Sequence, residues 1–201
     1  MSRRIHPIEV ESYAILRARI GTTHLPRWTR AVVERVVHAS ADVSYADDLR
    51  CDEDVLAAGA TALASGAPLV VDAAMVGAGI TTYPSTCLVS HPDAQARAAA
   101  TGDTRSAAAF RLAAERVGPG AIWVVGNAPT ALFSLLELDV APALVVGLPV
   151  GFVGAVESKA ALRASGLPAL TNRSEKGGSA VAAAAVNALL YGPNPLSEVS
   201  S

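Results

Sequence analysis

The stretch AIWVVGNAPTALF, residues 121 to 133, changes its structural period half-way along. Ile122, Trp123, Val124 and Val125 form a short, unbroken apolar run, which reads as a strand buried on both faces. Gly126-Asn127-Ala128-Pro129 is turn-like, and a helix over about 128 to 138 follows. The same pattern recurs on either side. PLVVD at 68 to 72 and ALVVG at 143 to 147 predict two more buried strands, and helical patterns cover about 104 to 117, 153 to 165 and 178 to 190. Before them lie helices expected at 7 to 19, stopped by Gly21, at 26 to 39, with Pro26 near its start, and at 52 to 65, opened by acidic residues. Strands alternating with helices imply an α/β fold, a largely parallel sheet flanked by helices. Ligands of such sheets bind beyond the carboxyl ends of the strands.

The 201 residues suit one domain, and no composition shift or internal repeat divides residues 1 to 201. Beyond about residue 192, GPNPLSEVSS reads as a frayed tail. Residues 117 to 136 carry no formal charge and are long enough to raise the question of a membrane span, but Gly118-Pro119-Gly120 and the 126–129 turn break them. The N-terminus has basic residues without a following apolar stretch, so no signal peptide is expected and a cytoplasmic location is.

Charge excludes one class of partner. A net charge of −2 with 17% charged residues lacks the basic excess that nucleic acid demands. All but two of the 16 basic residues are arginine, whose planar fork pairs carboxylates bidentately, although GC-rich codon usage yields the same bias. Cys51 and Cys87 make no CxxC pair and read as buried free thiols. His6, His24, His38 and His91 show no HxxxH or HExxH spacing, so no metal ligands are assigned. Walker, GxGxxG and GxSxG motifs are absent, which makes a nucleotide-binding protein or a serine hydrolase a poor fit. Ser179 could cap the alanine-rich helix at 178 to 190 and leave N–H groups for an anion, or simply start a packing helix.

Within ERVVHASADV, residues 34 to 43, His38 has three readings: a packed core histidine, a charge at a helix C-terminus, or a proton donor facing a cavity. Arg35, one turn earlier, would resist protonation of the imidazole and keep a proton acceptor near neutral pH. Local pattern leaves the three open.

Longer strings narrow the choice. VVHA (36–39), DAAMVGAGIT (72–81), DTRSAAA (103–109), GNAPTALFSLLE (126–137), PVGFVGAVESKAAL (149–162) and KGGSAVAAAAVNALL (176–190) occur in this order. Together they closely resemble the precorrin-8X methylmutase family, which includes the cobalt-precorrin-8 methylmutases, from Ser12 to about Leu190. The resemblance implies an isomerase of cobalamin biosynthesis. It would move a methyl group from carbon 11 to carbon 12 of precorrin-8X or cobalt-precorrin-8, giving hydrogenobyrinic acid or cobyrinic acid. It further implies no external cofactor, and an α/β homodimer with the tetrapyrrole near the subunit interface. On this likeness His38 falls on the family's proton donor/acceptor, Ser12 and Arg35 on substrate contacts, and Thr81 and Arg105 on positions around the macrocycle. One departure is Glu175, where the family usually carries a basic residue. The alternative is a tetrapyrrole carrier without catalysis.

Overall fold

A computed structural model describes residues 6–193, so the expected tail beyond Pro193 lies outside the described residues. The three expected strands form at Leu69–Val71 (β2), Ile122–Val125 (β3) and Leu144–Gly147 (β4). Two more were not anticipated, Leu49–Cys51 (β1) and Ala169–Asn172 (β5). The sheet order is β1-β5-β4-β3-β2, parallel from β2 to β5, with β1 antiparallel at one edge.

The missed strands lack the apolar signature for physical reasons. β1 is an edge strand in which only Leu49 is buried, so Arg50 and Cys51 need not be core residues. In β5 the buried Thr171 and Asn172 are polar, and hydrogen bonds offset their burial: the Thr171 hydroxyl donates to the Gly147 carbonyl.

Because β2 to β5 are adjacent in chain order, each crossover steps to the next strand, and right-handed connections put the main helix of each crossover on one face. That face carries Arg105–Ala114 (α7), Pro129–Leu136 (α8) and Ala155–Ala164 (α9). Phe110, Leu132, Leu135 and Leu162 from these helices pack on Val70, Trp123, Val125 and Val145. The alternate residues Leu69, Val71, Ile122, Val124, Leu144 and Val146 point to the other face. There they meet Arg27–Ser40 (α2), Glu53–Ala64 (α4) and Ser179–Tyr191 (α10) through Val32, Val36, Leu56, Val181 and Val186. Burial on both sides explains the continuous apolar strands. Pro7–Ile20 (α1) lies outside α2, and Tyr45–Asp48 (α3), Ala74–Gly79 (α5) and Pro92–Thr101 (α6) are shorter or peripheral.

The stretch at 117 to 136 resolves into strand, turn and helix, and among the described residues no helix is long and apolar enough to cross a membrane.

The carboxyl ends of β2 to β5 share one edge, and the end of α2 arrives there too. Leu49, the first residue of β1, pairs with Asn172, the last of β5, so the α2–α3 connection sits over this edge. Asp48 fastens it, accepting from the Arg173 and Ser174 amides at 2.9 and 3.0 Å and from the Asn172 side chain at 2.8 Å.

Candidate active site

At that edge a cavity of about 290 Å³ opens between α1 and the end of α2. Ile8, Ile15, Leu16, Val37, Ala41 and Val43 form its apolar wall, and Glu11, Ser12, Arg19 and His38 its polar part. His38 stands in the last turn of α2. The Ser12 hydroxyl of α1 lies 2.9 Å from His38 Nδ1, and the Tyr13 ring stacks on the imidazole with centroids 4.9 Å apart and planes 23° apart. Stacking fixes the ring plane, and the hydroxyl fixes what Nδ1 does. A serine that donates to Nδ1 leaves the proton on the other ring nitrogen, and one that accepts from Nδ1–H leaves a lone pair there. The ring can therefore serve as donor or acceptor from one position.

Arg35, expected as a cation beside His38, is itself paired. Its guanidinium donates to Glu9 at 2.9 Å and to the Tyr13 hydroxyl at 3.4 Å, and lies 5.0 Å over the Tyr191 ring. Glu9 offsets its charge at 2.9 Å. Arg35 faces a niche of about 10 Å³ rather than the cavity, and reaches His38 through the Tyr13 ring between them. Burial raises the Tyr13 hydroxyl's pKa, with Arg35 opposing, so this ring stays a neutral phenol.

Thr81 and Arg105 are exposed and lie on other elements. Thr81 follows α5, whose Gly79 carbonyl accepts from Asn187 of α10 at 2.8 Å. Arg105 opens α7, beside Thr104, whose hydroxyl meets that of Thr130 at 2.7 Å. Neither lines the cavity, whereas Ser12 and His38 meet in it.

The GNAP turn is committed to a structural task. Asp72, buried at the end of β2, accepts from the amides of Gly126, Asn127 and Ala128 at 2.9, 2.8 and 2.7 Å. Burial raises its pKa and these three donors oppose the shift. The protein's own carboxylate thus fills the anion position at the start of α8. Among the described residues no group of three His, Cys, Asp or Glu could hold a metal ion, and Cys51 and Cys87 are free, half-buried thiols.

The family model described as precorrin-8X methylmutase matches residues 7–192. The chain belongs to the precorrin-8X methylmutase family. Its relatives include the precorrin-8X methylmutase of Pseudomonas aeruginosa, 45% identical over 89% of this chain and 91% of that protein. The cobalt-precorrin-8 methylmutase of Methanocaldococcus jannaschii is 40% identical over 79% of this chain and 77% of that protein. A crystal structure of the precorrin-8X methylmutase from Thermus thermophilus superposes with a TM-score of 0.83 at 36% identity, covering 92% of this chain and 96% of that one.

For this member of the precorrin-8X methylmutase family, sequence reasoning missed Tyr13, Glu9 and Arg19. Tyr13 is adjacent to Ser12 in SYAILRA, and its role rests on a contact between two helices that local pattern does not encode. Arg19 lines the cavity, and among the described residues it has no carboxylate partner, unlike Arg17, Arg30 and Arg35.

Proposed function

We propose that this protein is an isomerase of cobalamin biosynthesis that moves the methyl group of precorrin-8X, or of cobalt-precorrin-8, from carbon 11 to carbon 12. The observation that carries the reading is the Ser12–His38–Tyr13 arrangement on the wall of an apolar cavity in a chain of this family. The migration is intramolecular: one carbon–carbon bond breaks, another forms, and the product is an isomer. Such a shift needs the conjugated ring held in the right protonation state, and one general acid or base contributes about 10²–10⁴-fold. His38 is that group, exchanging a proton with the macrocycle, while Ser12 and Tyr13 fix its tautomer and plane. Arg35 acts from behind Tyr13, and Arg19 at the cavity meets an acid arm of the substrate.

A tetrapyrrole with its acid arms exceeds a cavity of about 290 Å³, which is at the lower end for small-molecule sites. Ile8 and Ile15 are 70% and 49% exposed at its rim. A second copy of the chain covers them, making the working unit a homodimer in which Thr81 and Arg105 contact the macrocycle from outside this cavity.

The test is incubation with precorrin-8X and, separately, its cobalt form, followed by absorption. Conversion to the product spectrum is expected with at least one. Tight binding with no spectral conversion of either would favour a carrier.

A further inference from the structure

Lys159 belongs to α9, on the far face of the sheet from α1 and α2, and it is fully buried. A buried ammonium is costly unless every donor is satisfied. Its Nζ donates to Asn172 Oδ1 at 2.9 Å, to the Lys176 carbonyl at 2.7 Å and to the Ser174 carbonyl. None of the three is a carboxylate; two are backbone groups of the loop after β5. This loop is closely packed: a Cβ on Gly177 would stand 2.2 Å from the Leu148 carbonyl oxygen.

The same loop reaches the cavity. Lys176 Nζ donates to Asp42 at 2.7 Å and to the Ser44 hydroxyl at 2.6 Å, and this lysine holds the Asp42 carboxyl down at about 2. Asp42 stands between Ala41 and Val43, both cavity walls. Ala41 has a φ of 54°, the one non-glycine residue with positive φ among the described residues. A left-handed alanine persists only where its surroundings enforce it.

The geometry points to Lys159 as a positioning residue for the cavity: its ammonium pins the 173–178 loop, whose Lys176 holds Asp42 and thereby sets the Ala41–Val43 wall next to His38. This rests on the isomerase reading for its rate measurements, but not for its structural one. The charged groups facing Lys159 are Asp48 of α3, Arg163 of α9 and Glu175 of the loop. Burial draws its pKa down to about 8, Asp48 and Glu175 oppose, and Arg163 adds to the fall. Protonated Lys159 holds the loop, so the hold weakens as pH rises through about 8. Glu175, the residue departing from the family's basic habit, thus helps keep that ammonium charged.

Hydrogen exchange of residues 41–48, where the Ala41 and Tyr45 to Asp48 amides donate to nearby carbonyls, reads the link without substrate. Lys159→Met and Lys176→Met should each speed exchange there at least tenfold and leave β3 unchanged. Lys176→Met leaves the buried site intact, and serves alone should Lys159→Met fail to fold. Both should lower kcat at least tenfold, the double variant no further than the worse single, and Lys176→Arg should recover most of the rate. The wild-type rate should fall as pH rises through about 8, and at lower pH in Glu175→Gln. Unchanged exchange at 41–48, or faster exchange with unaltered kcat, would overturn the positioning role. Should the wild type not convert precorrin-8X while both variants loosen 41–48, the isomerase reading falls and the link to the wall stands.

Discussion

At the scale of the residue, the proposed chemistry depends on what surrounds one imidazole. His38 is fixed twice, by Ser12 at Nδ1 and by the stacked Tyr13. Removing the hydroxyl leaves the ring in place but releases its tautomer, so Ser12→Ala should lower kcat roughly tenfold with little change in KM, read from steady-state kinetics. A matching rise in KM instead would make Ser12 a substrate contact in its own right. How much of this was legible in the sequence differs by residue. The resemblance pointed to Ser12 and His38, but from 26 positions apart nothing local says that they touch. Arg35 has the spacing of a neighbour to His38, and helical spacing does not say which way its long side chain turns. The structure turns it to Glu9.

At the scale of the element, α1 and α2 must hold a fixed separation for the cavity to exist. Their brace is Glu34, buried on α2, which accepts from Arg17 at 3.0 and 2.7 Å, from Arg30 at 2.9 Å and from the Thr22 hydroxyl. Burial alone would raise its pKa, but these donors together hold it below the ordinary 4.5. A carboxyl depressed in the folded state stabilises fully above its unfolded value, and that stabilisation is lost as pH falls through the folded one. Glu34→Gln should therefore cost roughly 2 kcal/mol at neutral pH in denaturant unfolding, and less below about pH 4. A pH-independent loss would assign the effect to packing. The apolar strands β2, β3 and β4 were plain in the sequence because both of their faces are buried. The edge strand β1 and the polar end of β5 were not, since hydrogen bonds rather than apolar side chains satisfy them.

At the scale of the whole molecule, the alternation of strands and helices fixes the layers, and the layers bring the end of α2 to the carboxyl edge of the sheet. The candidate site lies toward the α1–α2 side of that edge, and the turn at β3 is filled by Asp72. No periodicity predicts that a strand-end carboxylate will fill a turn 54 residues away. Ile15 is half exposed at the cavity rim and is expected to be covered by the second copy. Ile15→Arg should yield a monomer by light scattering and weaken tetrapyrrole binding, since burying an unpaired charge opposes association. A dimer of unaltered affinity would move the interface elsewhere.

The most direct measurement compares His38→Ala with the wild type on precorrin-8X, with folding checked by circular dichroism and binding by titration. A folded variant should keep its affinity for the tetrapyrrole while methyl migration slows by a factor on the order of 10² or more. Undiminished turnover by that variant would show that the proton moves without this imidazole.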